Sequence, residues 1–71
     1  MKSDDINARI AKKLLAARLK NGHTQADIAR LADVNVSYYA KVERAQAAPT
    51  VPWLEKVAKA NGLKLSDILP T

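Results

Sequence analysis

At 71 residues, with no cysteine and a single histidine, His23, the chain has room for one domain, spanning 1–71, whose fold must rest on packing without a disulfide or a structural zinc site. Twelve Lys/Arg against seven Asp/Glu give a net charge of +5, which draws the chain toward polyanions such as nucleic acid or an anionic membrane. No apolar run approaches the roughly 20 residues that span a bilayer, and the N-terminus lacks a secretory signal, so a cytoplasmic location is expected.

The predicted elements, in chain order, are all helical. Ser3 is a candidate N-cap, Asp4 and Asp5 suit the positive end of a helix dipole, and Ile6, Ile10, Leu14 and Arg18 recur every four residues; the pattern predicts a first helix over about 4–20. Asn21-Gly22 stops it. Thr24 with Asp27 forms a variant capping box that opens a second helix over 25–32, with Ile28, Ala29 and Ala32 as its apolar face. After Asp33 and Val34, Asn35 caps a third helix over 36–44. Thr50 caps a fourth over 51–60, in which Pro52 is tolerated because it falls in the first turn, and Asn61-Gly62 ends it. Leu63, Leu65, Ile68 and Leu69 supply a last apolar set, with Ser66 expected to cap a short helical turn before Pro70. Five short helices, no strand and no repeat predict an all-α bundle.

The second and third helices carry the informative spacing. From Gln25 to Val42 a small residue, Ala29, stands where a steeply crossing helix must approach closely. Val34 fills the angle, and Ile28, Ala32, Tyr39 and Val42 face inward. This is helix-turn-helix geometry.

From Ile10 to Leu69 the chain resembles the lambda repressor/Cro superfamily, also called the xenobiotic-response-element family of bacterial and phage regulators. The likeness is carried by TQADIA (Thr24 to Ala29), SYYAKVER (Ser37 to Arg44), Pro49 after a short loop, and NGLKLSDIL (Asn61 to Leu69). The chain departs from the family at two usual glycines, which are Asp33 in the turn and Ala45 after the Glu-Arg pair. Aspartate tolerates left-handed backbone better than most residues. Alanine at 45 implies mild strain or a different loop path.

The resemblance implies sequence-specific binding of double-stranded DNA by a transcriptional regulator, with the third helix in the major groove. A helical wheel separates Tyr38, Tyr39 and Val42 from Val36, Ser37, Ala40, Lys41 and Arg44. The family's base-contacting positions fall on Val36, Ser37 and Lys41, which lie on that second face. Lys41 suits guanine O6/N7, Ser37 donates or accepts, and Val36 suits the thymine methyl. Gln25 matches the family position that grips a phosphate at a helix N-terminus. Tyr38, Arg44, Lys20 and Arg9 are further backbone-contact candidates, Tyr38 being equally suited to lying against the first helix. Arg18 and Glu43 match a family ion pair between the first helix and the end of the third, an orienting role. The resemblance further implies a homodimer on a two-fold symmetric operator.

Other readings are weaker. A plain surface role for His23, and a core or dimer-surface role for Trp53, are the ordinary expectations. Leu31, Leu63 and Leu65 read mostly as core. An enzyme is disfavoured by the absence of a nucleophilic cysteine, a second histidine or a glycine-rich phosphate loop. No metal, cofactor or small-molecule ligand is expected. A membrane-surface role for the first helix is disfavoured because its stripe from Ile6 to Leu19 is needed for the core. The serious rival is a protein-interaction module of the same fold, antitoxin- or adaptor-like, which would bind duplex DNA weakly and without salt dependence.

Overall fold

The computed structural model describes residues 5–69, and Ser3, Asp4 and Pro70 lie outside them. Five helices follow in order: α1 (Ile6–Lys20), α2 (Gln25–Ala32), α3 (Val36–Glu43), α4 (Val51–Ala60) and α5 (Leu65–Ile68). There is no strand among the described residues.

Helix starts follow local side-chain chemistry. In α2, Thr24 Oγ1 accepts from the Asp27 N–H and the Asp27 carboxylate accepts from the Thr24 N–H, each at 3.0 Å. Asn35 Oδ1 accepts from the Tyr38 N–H at 2.9 Å to open α3, and Thr50 Oγ1 from the Trp53 N–H at 3.3 Å to open α4. Two starts differ from the sequence reading. The cap of α1 is Asp5, whose carboxylate accepts from the Asn7 N–H at 3.0 Å, so the helix begins at Ile6. The cap position of α5 is Lys64, and Ser66 lies inside the helix. Here the Asp67 carboxylate reaches back to accept from the Lys64 N–H at 2.9 Å, satisfying the N–H of the cap residue itself.

The first four helices end alike. The residue after the last turn adopts left-handed backbone, and the N–H beyond it returns to a carbonyl five residues earlier: His23 to Arg18, Val34 to Ala29, Gln46 to Lys41 and Leu63 to Ala58. The left-handed residues are Gly22 (φ 74°), Asp33 (φ 57°), Ala45 (φ 61°) and Gly62 (φ 72°). This C-terminal motif favours glycine, because a Cβ in left-handed backbone crowds the carbonyl. Ala45 therefore bears backbone strain at this position.

The core gathers one face of each helix: Ile10 and Leu14, Ile28, Ala29 and Ala32, Tyr39 and Val42, Leu54, Val57 and Ala58, and Ile68. Burying each larger aliphatic side chain contributes about 1.5–3 kcal/mol. α2 packs on α3 and α4, while α1 packs on α3 and α5. Leu31 is 55% exposed, and Ile6 and Leu19 are 53% and 61% exposed, so none belongs to the core. Leu19 follows Leu14 by five residues, a rotation of about 140° that carries it away from the buried face. Leu63 and Leu65 are partly buried.

Candidate nucleic-acid interface

α3 is amphipathic across its width. Tyr39 and Val42 are buried, and Val36, Ser37, Lys41 and Arg44 are exposed. Because Tyr39 and Val42 are three apart, they share one face, and the wheel leaves the exposed four on the other. Val36 is 44% exposed.

An open groove borders this face. It is lined by Leu19, His23, Thr24, Gln25 and Val36 among others, and so joins the first turn of α2 to the start of α3. The first N–H groups of α2 and its positive dipole end lie at this groove, where an anion is stabilised. Gln25 and Val36, assigned by sequence to phosphate and base, thus line one depression. Arg9 and Lys20 are exposed and lie on one side of α1, about three turns apart. Arg44 is exposed beyond α3, its Nε donating to Gln46 Oε1 at 3.3 Å.

Tyr38 points elsewhere. Its ring meets Trp53 edge-on with centroids 5.3 Å apart, so it lies against α4. Its hydroxyl donates to the Ala48 carbonyl at 3.4 Å. Trp53 also takes Tyr39 at 6.0 Å, which makes it an inward-packed aromatic between the two tyrosines.

Beneath the exposed face, α1, α2 and α3 converge on one carboxylate. Arg18 donates from Nε to Glu43 Oε2 at 2.8 Å and from Nη2 to Oε1 at 2.9 Å, while Nη1 donates to the His23 carbonyl at 2.9 Å. The Tyr39 hydroxyl donates to Glu43 Oε2 at 2.7 Å and Gln25 Nε2 to Oε1 at 2.9 Å. The side chains of Arg18 and Glu43 are 12% and 4% exposed. Burial pushes the Glu43 carboxyl up, but the bonds from Arg18, Tyr39 and Gln25 and the guanidinium charge outweigh it, holding the group below its ordinary value. Burial first, and then the Glu43 carboxylate, push the Tyr39 hydroxyl up. The bond to Glu43 raises the Arg18 guanidinium against the opposing effect of burial.

Two members of this cluster escaped the sequence reading. The Tyr39 hydroxyl was legible in principle, since residues 39 and 43 are one helical turn apart on α3. The Gln25 bond to Glu43 joins different helices, and no local spacing announces it.

Among the described residues no group of three or more His, Cys, Asp or Glu is placed to hold a metal ion, and no helix is long and apolar enough to cross a membrane.

Comparison with known proteins agrees with this architecture. The helix-turn-helix family model matches residues 8–68. Similar solved structures include a hypothetical transcription factor from Neisseria, 27% identical with a TM-score of 0.89, covering 93% of this chain and 76% of that one. A transcriptional regulator from Vibrio cholerae is 25% identical with a TM-score of 0.85, covering 89% of this chain but only 35% of its own, so the present chain spans about a third of that regulator. The restriction-modification controller protein C.AhdI from Aeromonas hydrophila, 24% identical with a TM-score of 0.85, covers 89% of this chain and 96% of its own, a likeness of fold. No curated protein sequence matches the chain. With the family model spanning most of the sequence and the two crossing helices in place, the chain belongs to the lambda repressor/Cro-like helix-turn-helix family of DNA-binding regulators, which are not enzymes.

Proposed function

We propose that this protein is a sequence-specific regulator that seats α3 in the major groove of duplex DNA. The observation that carries the reading is the exposed face of α3, where Val36, Ser37 and Lys41 stand free over a buried Tyr39 and Val42. Lys41 donates to guanine, Ser37 donates or accepts, and Val36 packs on a thymine methyl. The first turn of α2, with Gln25, holds a backbone phosphate, and Arg44, Lys20 and Arg9 add charge along the strand. Tyr38 is the least suited of the phosphate candidates, because its ring is held by Trp53.

The active species is a homodimer in the cytoplasm. One module of this size covers little DNA, and two copies with recognition helices about 34 Å apart read a two-fold symmetric operator. Support comes from Leu63, Leu65 and Leu69, which are only partly buried around α5 and offer apolar area to a second copy.

Selection of bound duplexes from a random library, followed by salt titration on the winner, tests the reading. An inverted repeat whose affinity falls steeply with salt is the expected result. Failure to enrich any motif, together with weak and salt-insensitive duplex binding, overturns it in favour of a protein-interaction module.

A further inference from the structure

We propose that Gln25 is a positioning residue, whose amide braces the open ends of the helix-turn-helix through Glu43 and thereby sets the angle at which α3 is presented. Its consequence for base selection rests on the DNA-binding reading above, whereas the brace is a property of the free protein.

The argument is geometric. α2 and α3 are eight residues each and are joined by the turn at 33–35, which forms the vertex of a V. Each arm is about 12 Å long. The free ends of the V are Gln25, first residue of α2, and Glu43, last residue of α3, and the bond of 2.9 Å between their side chains closes it. Arg18 fixes the closed end to α1 by holding both Glu43 oxygens and the His23 carbonyl. Releasing the Gln25 bond leaves the carboxylate held by Arg18 and Tyr39 but cuts the side-chain bond from Glu43 to α2, so that α3 is free to rotate relative to α2. A shift of about 1 Å at the end of such an arm turns α3 by roughly 5°. Val36 and Ser37, beside the vertex, move little under that rotation. Lys41, near the free end, moves most.

Gln25 borders the groove in which a phosphate is proposed to lie. Its amide carries two donors, one of which Glu43 takes. The same side chain can therefore hold Glu43 and meet a phosphate, so that the backbone contact and the angle of α3 are coupled.

The test compares wild type with Gln25→Met, which matches the length and lacks a donor, Gln25→Lys, whose ammonium still donates to Glu43, and Tyr39→Phe, which removes a donor from Glu43 at a site buried from any DNA. Affinity is measured on the selected duplex and on one altered at the base pair whose preference Lys41→Ala abolishes. Gln25→Met should lower the discrimination ratio by about three- to tenfold, Tyr39→Phe should lower it less, and Gln25→Lys should preserve it. If Gln25→Met weakens both duplexes by the same factor and leaves the ratio intact, the residue is a phosphate contact alone and the brace is overturned. If wild type discriminates among no duplexes, the DNA-binding reading fails and the brace is judged on the free protein by NMR. Backbone amide shifts in Gln25→Met that grow along α3 toward Glu43, with a displaced Arg18 Nε–H resonance, uphold it. An unchanged α3 refutes it.

Discussion

The guanidinium of Arg18 lies side-on to the carboxylate of Glu43, with Nε 2.8 Å from Oε2 and Nη2 2.9 Å from Oε1, across 25 positions of sequence. Both side chains are largely withdrawn from water. Removing one partner strands the other as a charge, whereas removing both leaves no buried charge alone and strands only the neutral Tyr39 hydroxyl. Arg18→Met should cost about 3–5 kcal/mol, and the double variant with Glu43→Leu should cost less than Arg18→Met alone. A chain of this size has roughly 4–10 kcal/mol of stability in total. The single variant therefore loses a large share of it, which urea titration followed by circular dichroism will report.

The same cluster sets a pH window. Glu43 is held below its ordinary value of 4.5, so the unfolded chain binds the proton more readily, and stability falls as pH drops through and below that value. Asp27 adds to this acid limb, its carboxylate lowered by the Thr24 N–H and hydroxyl. The Tyr39 hydroxyl is raised above its ordinary 10.0, so the unfolded chain loses that proton first, and stability falls as pH rises past that value. Thermal melts across pH should be flat between the two limbs. Tyr39→Phe should flatten the alkaline limb and, because it removes one of the bonds that lower the Glu43 carboxyl, shrink the acid limb without abolishing it.

Ala45 sits at φ 61°, a position where glycine bears no Cβ penalty. Ala45→Gly should stabilise the protein by about 1 kcal/mol, which in a domain of 60–100 residues raises Tm by about 4–8 °C. Gly62→Ala, at φ 72° with nothing within 4 Å of the added Cβ, should lose a similar amount through backbone strain alone. Opposite shifts from the two variants in one melting experiment are the expected result; a fall in Tm for Ala45→Gly contradicts it.

On DNA, exposed side chains of two kinds should separate. Lys41→Ala should change which base is preferred at one position, at about 1–3 kcal/mol of discrimination. Arg44→Ala should weaken every duplex alike and reduce the slope of log affinity against log salt by about 1. Fluorescence anisotropy at several salt concentrations distinguishes them, and a uniform loss from Lys41→Ala would remove it from the base-reading set.

What the sequence alone determined about this protein is what depends on neighbours within a turn. Thr24 with Asp27, Asn35 and Thr50 open their helices because a side-chain oxygen meets an N–H three residues on. Gly22 and Gly62 close theirs because left-handed backbone returns an N–H to the helix end. Periodicity then named most of the core, from Ile10 to Val42, and the division of α3 into an inward and an outward face.

The tertiary structure alone decided where separate elements meet, because a side chain's partner across the fold follows from crossing angles that no local spacing encodes. It turned Tyr38 onto Trp53 of α4 and left Leu31 and Leu19 in solvent. It set Asn21 Nδ2 3.2 Å from the Asn61 carbonyl, 40 positions away, and Gln25 on Glu43, 18 positions away. A hydrogen bond between neighbours costs little chain entropy and is readable from composition; one between distant elements exists only after packing has brought them within 3 Å or so.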